Sequence, residues 1–241
     1  MTDEPSEVLA RLDAIAREYD PSDPASSFDY FFKRLQASAI APWLRGGRLL
    51  ELGCATGELT SLLAPHAREY HVVEGSAGNV EIARQRVPGA TFVHALWDDF
   101  EPGTDYSDVL LVNALEHSEA PVPLLERART WLQPEGRVHV MVPNGLSFHR
   151  LVGAEMGLLD DPVGLTEDDR QQGHFRNYTI DTLQADVRRA GLSIEGWEGI
   201  FPKFLPNAAM LGWSWDLVAA LARVGRRVPE HCAVLYVVAH A

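Results

Sequence analysis

The feature that most narrows the fold is a rhythm between residues 48 and 142. Short apolar runs at Arg48–Leu52, His71–Glu74, Thr91–Val93, Ser107–Val112 and Arg137–Val142 alternate with stretches of helical periodicity. The helical stretches are Gly57–Leu63, Asn79–Arg86 (stopped by Pro88-Gly89) and Pro123–Trp131, which is followed by the turn Gln133–Gly136. Strand–helix units of this kind predict a parallel sheet with helices on both faces. Strands that are apolar throughout need cover on both sides. Two further runs, near 192–200 and at Ala233–Val238, raise the expected count to seven strands in a doubly wound, mostly parallel α/β sheet.

The rest of the chain organises around that sheet. Val8, Leu9, Leu12, Ile15 and Ala16 share one stripe of a helix expected over about 5–20. The stretch Pro21–Ser27 breaks it, and a second amphipathic helix runs from Phe28 to near Trp43 before the Gly46-Gly47 turn. Residues 144–177 interrupt the rhythm and are rich in Gly, Asp and Gln. So long an irregular insert in a compact domain is expected to be a substrate cap. A helix is expected over 179–190, and another over about 207–225 carrying Trp213, Trp215, Leu217 and Val218.

Charge and cysteine usage exclude several functions. Among 241 residues, Lys plus Arg is 21 and Asp plus Glu is 34, so the net charge is 21 − 34 = −13. That balance argues against a nucleic-acid partner held through its phosphates. Cys54 and Cys232 are the only cysteines, and no Cys/His ligand spacing occurs, so no metal is expected. The N-terminus lacks a basic segment ahead of an apolar core, and no apolar run approaches the roughly 20 residues of a membrane span. A cytoplasmic protein without a membrane partner is expected.

The most informative segment is Leu49-Leu50-Glu51-Leu52-Gly53-Cys54-Ala55-Thr56-Gly57-Glu58-Leu59-Thr60, a strand, a tight turn and a helix start. Gly53 and Gly57 permit close backbone approach. A ligand then sits over the strand's carboxyl end. The turn is neither G-x-G-x-x-G nor a phosphate loop with Gly-Lys-Ser/Thr. Glu74 ends the second strand, 17 residues beyond Gly57, where a carboxylate accepts hydrogen bonds from both hydroxyls of a ribose. Glu51 adds a second acid, so the rim suits a ligand with a cationic part.

Four motifs, in order and spacing, resemble those of class I S-adenosylmethionine-dependent methyltransferases, and three later stretches resemble a bacterial small-molecule branch of them. The four are E-L-G-C-A-T-G-E-L-T, V-V-E-G-S, S-D-V-L-L-V-N-A-L-E-H and L-Q-P-E-G-R-V-H-V-M-V-P-N. The later stretches S-F-H-R-L-V-G, G-H-F-R-N-Y-T and P-K-F-L-P-N extend the likeness from about residue 46 to the end. Ala55 and Glu135 stand where many members have glycine. The resemblance implies a Rossmann-like domain over 46–241 with a cap inserted after strand five at about 144–177, and an N-terminal helical lid over 1–45. It also implies S-adenosyl-L-methionine as cofactor and S-adenosyl-L-homocysteine as product.

Carried over by residue, the resemblance places Gly53, Cys54, Ala55 and Gly57 along the methionine and ribose, Glu51 near the ammonium group, and Glu74, Gly75 and Ser76 at the ribose. Leu96, Trp97 and Asp98 surround the adenine, and Asn113 and Ala114 face the methionine. His117, after strand four, is the first candidate base, or else a residue that orders its loop. Glu116 beside it reads as structural. His149, His174, Arg150, Arg176, Asn144 and Tyr178 lie in or beside the insert, either binding the acceptor or tying the cap to the sheet. Tyr19 and Tyr30 are candidates to close over the site. The expected activity is methyl transfer to an oxygen or nitrogen of a small polar molecule, such as a sugar or natural-product intermediate, by a monomer or homodimer. Two alternatives stay open: a non-catalytic binding protein on the same fold, and an NAD-dependent oxidoreductase.

Overall fold

Strands β1 (Arg48–Leu52), β2 (Glu69–Glu74), β3 (Thr91–His94), β4 (Tyr106–Val112), β5 (Leu132–Pro143), β6 (Ser193–Ile200) and β7 (Val234–His240) form one sheet in a computed structural model that describes residues 5–16 and 27–241. The spatial order is β3-β2-β1-β4-β5-β7-β6. The first five strands are parallel, and β7 runs antiparallel to both β5 and β6. The seven-stranded, mostly parallel sheet expected from the sequence is therefore present, with β7 as its antiparallel member.

Side-chain alternation explains why the strands read as continuous apolar runs. Leu49 of β1 and Leu110 and Val112 of β4 enter one core cluster. Leu50, Leu52, Val109 and Leu111 enter the other, on the opposite face. Helices α2 (Asp29–Ile40), α3 (Glu58–Leu63) and α4 (Ala77–Arg86) cover the first face. Helices α5 (Pro121–Thr130) and α8 (Ile180–Arg189) cover the second. Phe28, Phe31, Phe32, Leu35 and Ile40 of the α2 region are buried, and Phe28 packs edge-on against Phe31, Phe32 and Trp213. So α2 belongs to the core, whereas α1 (Pro5–Ala16) rests on the carboxyl edge of the sheet.

Four local expectations shift. β2 starts at Glu69, two residues early. The turn Gln133–Gly136 lies inside β5 as an irregularity: Tyr106 pairs with Leu132, but Asp108 pairs with Arg137. There Glu135 has φ 62, and a Cβ on Gly136 would stand 2.8 Å from the Tyr106 carbonyl oxygen. The helix expected over 207–225 is two pieces, a 3₁₀ turn at Asn207–Met210 and α9 at Trp215–Gly225. Gly212, at φ 80, breaks the path, and Ser214 restarts it by accepting from Leu217 N. The insert holds two short helices, α6 (Phe148–Glu155) and α7 (Glu167–Gln171). α7 begins with a capping box between Thr166 and Asp169. Tyr19 lies outside the described residues.

Candidate active site

Chain order reverses across the sheet between β1 and β4, and their carboxyl ends open the crevice where doubly wound folds bind ligands. At the end of β1 the turn takes left-handed backbone three times, at Gly53 (φ 75), Ala55 (φ 48) and Gly57 (φ 77). Gly57 also lets α3 meet α4, since a Cβ there would lie 2.9 Å from the Ala83 Cβ. Trp97 covers the turn, with its Cζ3 3.7 Å from where a Cβ on Gly53 would stand.

Glu74 clamps this turn. Its Oε2 accepts from Cys54 N and Ala55 N at 3.0 Å each, and its Oε1 accepts from Ser76 N at 2.8 Å. Burial raises its pKa, and the backbone bonds oppose that rise. A carboxylate has about four lone-pair sites, so three backbone donors leave about one in-plane site for a further hydroxyl. Glu51 is deeper, 1% exposed, and its Oε2 accepts from Thr60 Oγ1 at 2.6 Å and Tyr70 OH at 3.0 Å. Burial pushes its pKa up to about 7 against the effect of those bonds. Its carboxyl thus braces β1, β2 and α3 from beneath the turn.

Of the neighbouring candidates, Gly75 and Ser76 lie against α1. Leu12 fills the space beside Gly75, with Leu96 close by, and Asp13 accepts from Ser76 Oγ at 2.6 Å. Asp98 points outward, its carboxylate 3.6 Å from Arg127. Asn113 follows β4 at φ 54, and its Oδ1 accepts from Gln36 Nε2 of α2 at 2.7 Å. Ala114 is buried behind it.

Of the three candidate histidines, the fold brings two together. His117 ends a 3₁₀ turn at Leu115–His117, and the cap returns beside it through Phe175 N donating to Glu116 O at 2.9 Å. The rings of His117 and His174 meet edge-on at 4.7 Å. Burial, and then His174, push the His117 pKa down to about 4. Glu116 is 1% exposed, and burial lifts its pKa to about 7 against the pull of His174. His149 stands apart on α6, with its Nδ1 3.0 Å from Ser147 Oγ and its backbone N–H on the Lys203 carbonyl. Burial and the nearby Lys203 bring its pKa down to about 3, and burial lowers the Lys203 ammonium to about 8.

The other acceptor-binding candidates hold the insert in place. Arg150 donates to the carbonyls of Pro162 and Gly164 and pairs with Asp169 at 3.2 Å. Asn144 Nδ2 donates to the carbonyls of Glu230 and Cys232. Arg176 donates to the Glu119 carbonyl, and the buried Tyr178 donates to Asp186 Oδ2. Tyr30 carries the Arg34 guanidinium over its ring at 4.4 Å. Sequence reasoning passed over Asp169, Gln36 and Asp13. Only Asp169 had a local signal, the Thr166-x-x-Asp169 capping box.

The family model described as a methyltransferase domain matches residues 17–195. Among curated proteins, trans-aconitate 2-methyltransferase of Rhizobium etli is 30% identical over 102 residues, covering 41% of this chain and 40% of that protein. A Synechococcus protein, described as uncharacterized, is 28% identical over 147 residues, 57% of this chain and 34% of that protein. The chain thus spans well under half the length of either relative. Among solved structures, an S-adenosylmethionine-dependent methyltransferase from Mesorhizobium loti superposes with a TM-score of 0.63 at 21% identity, covering 86% of this chain and 96% of that one.

Proposed function

This chain belongs to the methyltransferase-domain family, and from that premise we propose that it uses S-adenosylmethionine to methylate an oxygen or nitrogen of a small polar molecule. The observation that carries the reading is the pairing of two unlike sites on one sheet edge. Glu74 and the left-handed turn after β1 offer backbone and one remaining acceptor site, which suit a ribose. Glu116, His117 and His174, beyond β4, offer a polar end for the acceptor. Trp97, Leu96 and Asp98 take the adenine side, and Asn113 and Ala114 the methionine side. The first α-helix, which reaches both Ser76 and Gly173, acts as the lid.

Methyl transfer is an in-line displacement. The acceptor's lone pair forms the new bond to the methyl carbon while the carbon–sulfur bond breaks, and sulfur keeps that electron pair. The sulfonium supplies the reactivity, and the protein supplies alignment. A hydroxyl acceptor also gives up its proton, so it belongs against the polar end beyond β4. An acidic chain whose named relative methylates trans-aconitate supports a small organic acceptor over a nucleic acid. Because Asn144, Arg150, Arg176 and Tyr178 are engaged in fixing the cap, acceptor recognition falls instead to the groups around Glu116.

The test is label transfer from methyl-labelled S-adenosylmethionine by the purified chain across hydroxyl, amine and carboxyl compounds, with S-adenosylhomocysteine released one for one. Absence of calorimetric binding of either cofactor form overturns the reading. Tight cofactor binding with no transfer to any acceptor would favour the non-catalytic alternative.

A further inference from the structure

We propose that Glu116, His117 and His174 hold a divalent transition-metal cation at the acceptor end of the crevice. One donor atom from each lies within 4.8 Å of the other two. Donors at about 2.0–2.2 Å from a common ion stand about 3–3.6 Å apart, so closure needs side-chain shifts of about 1 Å. Such shifts are within reach of a glutamate and two imidazoles on a short turn and a cap segment.

A second observation also points to a ligand. Glu116 is 1% exposed, and among the described residues neither of its carboxylate oxygens has a hydrogen-bond partner. Buried carboxylates are paired, hydrogen-bonded or bound to metal, because an isolated one is strongly disfavoured. The two histidines flank it. The Nδ1 of His174 stands 3.6 Å from the Asp169 carboxylate, longer than a hydrogen bond and without another partner among the described residues, and Asp169 is itself fixed by Thr166 N at 2.8 Å and Arg150 at 3.2 Å. A metal-bound histidine usually donates its other N–H to a carboxylate, and a small movement of His174 toward Asp169 would complete that bond. His117 stands against Gly173, its Nδ1 3.7 Å from where a Cβ on that glycine would lie.

The donor set selects the ion. Two imidazole nitrogens and one carboxylate oxygen suit Zn²⁺, Co²⁺ or Fe²⁺ better than Mg²⁺ or Ca²⁺, which prefer all-oxygen sites. Three protein ligands leave coordination positions open. Here the inference rests on the acceptor-site reading above: those positions take oxygens of the acceptor, which points to a molecule with two oxygens close enough to chelate, such as a hydroxy acid or a vicinal diol.

The test uses the full chain, untagged and stripped with a chelator, titrated with Zn²⁺ and with Co²⁺ under equilibrium dialysis. One ion per chain is expected, with Co²⁺ absorption bands of four- or five-coordination. Glu116→Gln and His174→Ala are each expected to weaken Co²⁺ binding at least 100-fold, and Asp169→Asn about tenfold. His66→Ala, a histidine far along the chain from the cluster, leaves binding unchanged. Should a variant misfold, as S-adenosylhomocysteine binding on the same sample would reveal, the wild-type Co²⁺ protein decides. Two hyperfine-shifted, exchangeable imidazole N–H resonances support the site, and none or one overturns it. Binding far below one ion per chain, or unchanged in Glu116→Gln, also overturns it. Methyl transfer by a chain that binds no metal removes this site and leaves the methyltransferase reading intact, whereas metal binding without transfer to any acceptor does the reverse.

Discussion

Replacing Gly57 with alanine tests whether the glycine turn is dictated by packing as well as by backbone conformation. At φ 77 a side chain is strained, and the new Cβ would meet the Ala83 Cβ at 2.9 Å and its Cα at 3.1 Å. Left-handed backbone costs roughly 1–2 kcal/mol, overpacking costs roughly 1–3, and reduced freedom of the unfolded chain returns roughly 0.4–1, so the net loss lies between about 1 and about 5 kcal/mol, centred on about 3. The two costs separate in a double-mutant cycle with Ala83→Gly. That change removes the Cβ at 2.9 Å but leaves the Cα at 3.1 Å, so it relieves only part of the clash. The cycle is expected to show a favourable coupling of about 1 kcal/mol, with the strain remaining. Urea unfolding followed by circular dichroism of all four proteins gives the number. A coupling within about 0.3 kcal/mol of zero would refute the packing argument and leave backbone conformation alone to account for the glycine.

Three further outcomes follow from the same geometry. Glu74→Ala removes the acceptor for three backbone N–H groups and, on the reading proposed above, for a ribose hydroxyl, so calorimetry is expected to show S-adenosylhomocysteine affinity lower by orders of magnitude. Glu135→Gly, which relieves φ 62 in β5, is expected to raise unfolding stability by about 0.5–1 kcal/mol in urea melts. Glu51 holds its proton up to about 7 in the fold and only to 4.5 as an ordinary carboxyl. The folded state therefore binds more protons in that window, and the stability this group contributes falls as pH rises from about 4.5 to about 7, by at most about 3 kcal/mol. Thermal melts of Glu51→Gln against the parent across pH 4–8 are expected to show that slope flattened. A parallel pair of curves would remove the assignment.

What could be read ahead of the structure was local. The run Leu49 to Leu52 is apolar at three of its four positions because both faces of β1 are covered, and that pattern survives in one dimension. The left-handed turn announced itself through Gly53 and Gly57. Long-range pairings left no such trace. Glu116 and His174 lie 58 residues apart in the chain and meet only because the cap folds back onto the end of β4. For Arg150, binding the acceptor and tying the cap to the sheet stayed equally open, because its charge is visible in sequence while its partners, the carbonyls of Pro162 and Gly164, are backbone groups that any residue offers. The helix expected over 207–225 failed at Gly212, where a run of apolar residues hid a left-handed one.

The sheet order has a consequence for how the chain is made. β7 lies between β5 and β6, yet it emerges from the ribosome after both. Until it arrives, β6 has no neighbour to pair with, and β5 presents an open flank that in the finished protein carries seven aligned residue pairs. Vectorial synthesis thus leaves one side of the sheet waiting on its last strand. That delayed closure is the interval in which nascent chains crowded on one message would be most prone to exchange strands.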